Sequence, residues 1–326
     1  MAAALNALFD KRRLSLTRAR LRAWWEGEEF DAAAAEAAID AEALATGEAD
    51  AELFDEPPFD FPPRLVALTR LWGENRLRPG DDTADTLEPA RIGLQPDGVL
   101  AVLSPGLVGP IAAIAGAHAG AIEVYEWREE SIEALRYGVR KAGLAARVNV
   151  TKVDLEAHVW PQAHFDGLWS VDDFAYASYP PHLAQQIYKA LKPGACAVIE
   201  TYAGLPSETL ASAFASSFAE PHVRAHGDLL QFFTDTGLAL ESDEDLTDEF
   251  LDLARQGFKR LETVLGEASS FDAATARELA WEAEAWRVRL RMLAQRRLER
   301  RRFIVRRPAD GPAIVAQPEN TNAPEG

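Results

Sequence analysis

VLAVLSPGLVGP, residues 99–110, passes from five consecutive apolar residues through Ser104-Pro105-Gly106 into a second apolar run. The first part has the length and branching of a buried strand. The Ser-Pro-Gly triplet is turn chemistry, and Leu107-Val108-Gly109-Pro110 suits the opening of a helix. In open α/β sheets, a strand that enters a helix through such a turn lies where a ligand is held. Glycine there lets main chain approach the ligand, and the helix N-terminus favours negative charge.

Outward from this stretch, branched apolar runs recur at 121–126, 147–153, 165–171 and 195–202. Helix-period segments lie between most of them, at about 107–117, 129–143 and 181–191. The alternation predicts an α/β fold, a parallel doubly wound sheet with right-handed crossovers. Lys192-Pro193-Gly194 is the expected break before the fifth strand. Beyond it the pattern predicts a helix at 225–237, a short strand at 238–242, helices near 247–265 and 273–298, and a last strand at 302–306. Upstream, 5–25, 31–46 and about 63–73 suit helices, interrupted by DEPPFDFPP at 55–63, where proline ends helical structure. The expected organisation is a helical extension over 1–95, an α/β domain over 96–307 with helices at about 245–298 inserted before the last strand, and a disordered tail over 308–326.

The chain has 326 residues, 48% of them hydrophobic, enough for a large core. Its net charge of −18 argues against nucleic acid as a partner. A single cysteine, Cys196, excludes an intrachain disulfide. No signal-peptide pattern opens the sequence and no stretch has the length of a membrane span, so a cytoplasmic protein without stable membrane insertion is expected. Charge is segregated: residues 11–22 are basic, 26–60 hold thirteen Asp and Glu with no Lys or Arg, and 287–307 hold ten arginines. The acidic stretch either lies near one basic end or is a separately solvated face. The run RRLERRR, 296–302, is read as a helix C-terminus followed by the exposed edge of the last strand.

Ser104-Pro105-Gly106-Leu107-Val108-Gly109 keeps two of the three glycines of G-x-G-x-x-G, and Glu126 lies downstream at a distance suited to a ribose. By itself this fits a dinucleotide. The wider pattern resembles the class I S-adenosylmethionine-dependent methyltransferases of the small-molecule and lipid type. RLWGENRLRPGDD resembles a lead-in to the first strand, and LSPGLVGP aligns with a pattern of the type LDLGxGxGGP. AIEVYEWREESIEALRYGVRKAGL, RVNVTKVDLE, FDGLWSVDDFAYASYPPHLAQQIYKALKPGACAVIETY and TDTGLALESDEDLTDEF come in the family's order and spacing. The resemblance runs from Leu71 to Arg307 and disfavours the dinucleotide reading.

It implies a Rossmann-like doubly wound methyltransferase sheet and S-adenosylmethionine as cofactor. Glu126 would take the ribose, Trp127 the adenine face, and Asp154 with the Leu155 amide the adenine edge. The turn of Ser104, Gly106 and Gly109 would pass beneath the methionine part. Methyl transfer is an in-line displacement that needs alignment above all. Where the acceptor must lose a proton, Asp172, Asp173 and Tyr176 are the candidates; the two aspartates could equally cap the next segment. The family's first-strand carboxylate falls on Val102, and two of its glycines fall on Ser104 and Val108. An unpartnered ammonium there would weaken cofactor binding roughly ten- to a hundredfold.

Two functions are consistent with these residues: methylation of a small-molecule or lipid-like acceptor, or a noncatalytic relative kept for binding or regulation. A second copy of the chain or an active paralogue would be the macromolecular partner. His222 and His226 have ligand spacing but lack a third ligand, so no metal is expected. Cys196 is expected in the core, and Trp24, Trp25, Trp281 and Trp286 as packing residues, with a substrate-facing role for one of them as the lesser alternative.

Overall fold

The computed structural model describes residues 59–204, 222–266 and 271–309. The helices expected at 5–25 and 31–46, most of the acidic stretch, Trp24, Trp25 and the tail beyond 309 lie outside the described residues. The described residues from Asp60 onward belong to one compact unit.

The chain enters through α1 (Pro63–Trp72) and α2 (Asp82–Arg91). The alternation then runs as expected: β1 (Leu100–Leu103), α3 (Val108–Ala117), β2 (Ile122–Glu126), α4 (Glu129–Lys141), β3 (Val148–Lys152) and β4 (Phe165–Val171). A single turn, α5 (Asp173–Tyr176), precedes α6 (Pro180–Ala190), β5 (Leu191–Gly204) and β6 (Arg224–Ala225). After α7 (His226–Thr236) come β7 (Ala239–Asp245), α8 (Thr247–Gly266), α9 (Ala273–Ala294) and β8 (Leu298–Arg306).

The sheet order is β3-β2-β1-β4-β5-β8-β7, with β6 pairing β5 off this path. β1 to β5 pair in parallel, and β8 lies antiparallel to β5 and β7. Both faces are covered, which explains the unbroken apolar runs. Leu100 and Val102 point into a cluster with Ile111, Ile114 and Leu135 of α3 and α4. Ala101 and Leu103 point the other way, into a cluster with Leu183 and Ile187 of α6 and Phe233 of α7. Lys192-Pro193-Gly194 forms a bulge inside β5 rather than its start, since Leu191 already pairs with Phe165 before the register shifts. Gly194 takes a φ of +84°, and its N–H donates to the Arg307 carbonyl at 2.8 Å.

The arginine run departs from expectation. α9 stops at Ala294, Arg296 turns the chain with a φ of +55°, and Leu298 already begins β8. β8 is an interior strand, not an exposed edge. Arginine favours helices, so RRLERRR reads as helical locally. Its arginines are instead distributed by strand alternation. Arg300 and Arg302 face buried Asp172 and Glu200, whereas Arg301 reaches Asp243. The partners come from the residue after β4, from β5 and from β7, which no local pattern reveals.

α8 and α9 pack on α1 and form a helical cap. Trp72 and Trp286 meet at 4.4 Å between ring centroids. Gly257 of α8 lies so close that an added Cβ would stand 2.4 Å from the Trp72 ring. Trp281 of α9 is 47% exposed and does not pack as expected. Cys196 is buried in β5, and burial pushes its thiol up to about 11.

Candidate functional site

Sheet order changes direction between β1 and β4, and the loop after β1 lies at that point. Ser104 and Gly106 both adopt left-handed backbone, with φ of +55° and +85°. Ser104 thus keeps the conformation glycine usually supplies. Its hydroxyl donates to the Asp173 carboxylate, whose other oxygen accepts from Ser170 Oγ at 2.7 Å. Asp173 has no exposed surface, and burial pushes its carboxyl up to about 7 despite the two serine hydroxyls. Val102 faces the apolar cluster of α3 and α4. Gly109 is held by the lead-in segment: its N–H donates to the Asn75 carbonyl at 3.1 Å, and a Cβ there would lie 2.7 Å from that oxygen.

Glu126 ends β2 beneath the loop with no exposed surface. One carboxylate oxygen accepts the Gly106 N–H at 2.9 Å. The other accepts the N–H groups of Trp127 at 3.0 Å and Arg128 at 2.9 Å, and Arg128 Nη1 at 3.0 Å. Arg128 also donates to the Ser104 carbonyl at 3.2 Å. The expected ribose acceptor is therefore fully engaged, with a guanidinium laid against it.

Trp127 stacks obliquely on Tyr176 at 5.4 Å, and its indole N–H is buried without a partner among the described residues. β2 and β3 bring Glu126 opposite Lys152, which places Asp154 and Leu155 just beyond. Asp154 is exposed, and its Oδ1 accepts the Glu156 N–H at 2.9 Å; Leu155 is buried.

A cleft of about 500 Å³, open to solvent, lies over the loop. Four expected residues line it: Ser104, Gly106, Asp172 and Tyr176. Glu126 and Asp173 lie outside that lining, as do Gly109, Trp127, Asp154 and Leu155. Asp172 has left-handed backbone (φ +68°) and makes no side-chain capping bond. Its carboxylate accepts from Arg300, which also donates to Glu200 at 3.1 Å. Burial alone would raise Asp172, but Arg300, Arg78 and Arg128 outweigh it and hold the carboxyl below its usual range. Among the three catalytic candidates, Asp172 is thus a weak base and Asp173 is sealed in. Tyr176 retains access to the cleft.

The sequence pattern did not point to Arg78, Arg128, Tyr202 and Arg289, which also line the cleft, and favoured a packing role for Trp286 over a substrate-facing one. Arg78 sits in the lead-in RLRPGDD, and Trp286 and Arg289 sit on α9. Only the cap packing brings them over the loop. His226 Nε2 lies 2.7 Å from Asp243 Oδ2, and His222 precedes the helix, bound through its N–H to the Ala175 carbonyl.

No family model matches the chain. It is similar to phosphoethanolamine N-methyltransferase 1 of Zea mays, 28% identical over 127 residues, covering 38% of this chain and 25% of that protein. Among solved structures it is similar to Haemonchus contortus phosphoethanolamine N-methyltransferase 2, bound to phosphomonomethylethanolamine and S-adenosylhomocysteine. That likeness has a TM-score of 0.66 at 19% identity and covers 75% of this chain and 57% of the other. A Galdieria sulphuraria chain described as a sarcosine dimethylglycine methyltransferase matches with a TM-score of 0.61 at 15% identity, over 76% of this chain and 98% of that one. The fold is that of the S-adenosylmethionine-dependent methyltransferases. The chain spans a quarter of the maize protein and just over half of the nematode one. The methyltransferase fold also serves the [4+2]-cyclase SpnF, with a TM-score of 0.55 at 17% identity over 77% of this chain and 98% of that one. The fold alone therefore does not fix the activity.

Among the described residues, no helix is long and apolar enough to cross a membrane.

Proposed function

We propose that the chain is an S-adenosylmethionine-dependent methyltransferase acting on a small-molecule acceptor. One observation carries the reading: the loop after β1 and the end of β4 open into a single cleft at the switch point, under a helical cap. The methyltransferases it is similar to supply the chemical class.

The residues fit the cofactor on the adenine side. Among the described residues the Trp127 indole N–H lacks a partner, and the exposed Asp154 carboxylate gives one oxygen to the Glu156 N–H. On the ribose side, Glu126 fits once the Arg128 side chain turns off it. The left-handed Gly106 turn leaves bare backbone where the methionine part would pass. The bound cofactor supplies an electrophilic methyl group. The protein's contribution is alignment and exclusion of water, by Leu68, Leu77 and Trp286 around the cleft. Tyr176 is the side chain placed to position the acceptor's nucleophile. Asp172, held ionised by Arg300, fixes the charge of the cleft wall and is not a base.

A second reading is favoured by a specific feature. With four N–H donors on Glu126, the loop is closed on itself, as in a relative that binds no nucleoside and serves a partner instead. Calorimetric titration with S-adenosylhomocysteine separates the two. Micromolar binding lost in Glu126→Ala supports the enzyme. Absence of heat at millimolar ligand, from folded protein, supports the binding protein.

A further inference from the structure

We infer that Glu156 is a positioning residue for the nucleobase: its side chain braces the turn headed by Asp154 against the turn carrying Tyr176, and this brace gives the cofactor site its preference for adenine. The inference rests on the methyltransferase reading. Asp154 heads a turn just after β3. Its carbonyl accepts the N–H groups of Ala157 at 3.2 Å and His158 at 2.9 Å, and its Oδ1 accepts the Glu156 N–H at 2.9 Å. The Glu156 side chain reaches a different segment. Its Oε1 accepts the Ser178 N–H at 2.6 Å, and its Oε2 accepts the Tyr179 N–H at 3.2 Å. Glu156 is thus joined to Asp154 through main chain and to the residues just beyond Tyr176 through its carboxylate. That second segment is also held from β6 and the residues before it. Arg224 Nη2 donates to the Ser178 carbonyl at 2.9 Å, and the His222 N–H donates to the Ala175 carbonyl at 2.6 Å. The Tyr176 ring lies 5.4 Å from that of Trp127. Glu156 therefore fixes the span between Asp154 and the Trp127–Tyr176 pair.

Capping of α6 does not account for the contact. That helix opens with Pro180 and Pro181, which have no N–H, and the two N–H groups that Glu156 takes come from the residues before it. Glu156 is exposed, so its bonds replace bonds to water and add little stability. What they fix is position. Adenine presents an amino donor beside a ring-nitrogen acceptor. A carboxylate at Asp154 and the Leu155 N–H read that pair only when both are held in register with the ring. Hypoxanthine reverses the pair: a carbonyl oxygen replaces the amino group, and the ring nitrogen carries a proton. It would set oxygen against the Asp154 carboxylate and N–H against the Leu155 N–H, leaving both unpaired. Discrimination between the two bases depends on where the Asp154 turn stands, and Glu156 sets that.

The test titrates the full chain calorimetrically with S-adenosylhomocysteine and with S-inosylhomocysteine, its hypoxanthine counterpart. The variants are Glu156→Ala, Glu156→Gln and Asp154→Ala, each followed also by its melting transition. Wild type should favour the adenine ligand about tenfold or more. Glu156→Ala keeps the main-chain bond to Asp154. It should bring the two affinities close to parity by weakening the adenine ligand, with the melting transition unchanged. Glu156→Gln, which retains one acceptor oxygen, should fall between. Asp154→Ala should also remove the preference, and adding Glu156→Ala to it should change nothing further. A preference kept in Glu156→Ala, or both affinities lowered equally, overturns the proposal and leaves the methyltransferase reading standing. Equal binding of the two ligands by wild type overturns it as well, because Asp154 then does not read the base. Wild type that binds neither ligand removes the methyltransferase reading and the proposal together.

Discussion

Ser104 shows how one residue can keep a turn while changing its chemistry. Its left-handed backbone, where a glycine would be unstrained, is tied by its hydroxyl to Asp173. Asp173 titrates near 7 in the folded chain and at an ordinary carboxylate value when unfolded. The folded state therefore holds the extra proton between about pH 4 and 7, and stability falls as pH rises through that window. Asp173→Asn should be close to neutral at pH 5 and raise the melting temperature relative to wild type at pH 8; denaturation at both pH values measures it. Arg128 makes a second residue-scale prediction. If its guanidinium plugs the ribose acceptor, Arg128→Ala should tighten S-adenosylhomocysteine binding about tenfold, ~1.4 kcal/mol, by calorimetry. A loss of affinity would make Arg128 a ligand-holding residue.

At the scale of elements, β8 and the cap carry most of the design. Arg300 is 1% exposed, bonded to Asp172 and Glu200 and stacked on Tyr202 at 4.8 Å. Removing one partner of a buried ion pair strands the other and costs about 3–5 kcal/mol. Arg300→Met should cost that much in urea unfolding and open the β4–β5–β8 end of the cleft. Gly257→Ala should destabilise by about 1–3 kcal/mol, because its methyl group must displace the Trp72 ring. The same change should weaken any ligand held under the cap. The strands β1, β2, β4 and β5 were legible because burial on both faces leaves an apolar run that no helix of that length needs, and β3, at the sheet edge, because Val148 and Val150 alternate with polar residues. Of β8 only 302–306 was legible; its first half was not, because the arginines there carry helix propensity and their partners lie about 60 to 130 residues away in sequence.

The whole molecule sets charge against burial. Burial alone would raise Asp172 and Glu200, but the arginines facing them hold both carboxyls low, so their stabilising contribution exists above the unfolded carboxylate range and is lost as pH falls through it. Melting temperature should drop steeply below about pH 4, and moderate salt at neutral pH should change it little, since these pairs are screened poorly by solvent. The sequence by itself determined the alternation of the main strands and helices, the turn after β1, and that Leu103, Glu126 and Val171 end β1, β2 and β4. Those features come from local hydrophobic period and turn chemistry. Only the tertiary structure decided that Glu126 is closed off by Arg128, that Asp173 is sealed beneath Ser104, and that Arg78 and Arg289 share one cleft. Each depends on side chains brought together from distant segments by packing of the cap and the sheet, and no spacing along the chain encodes that proximity.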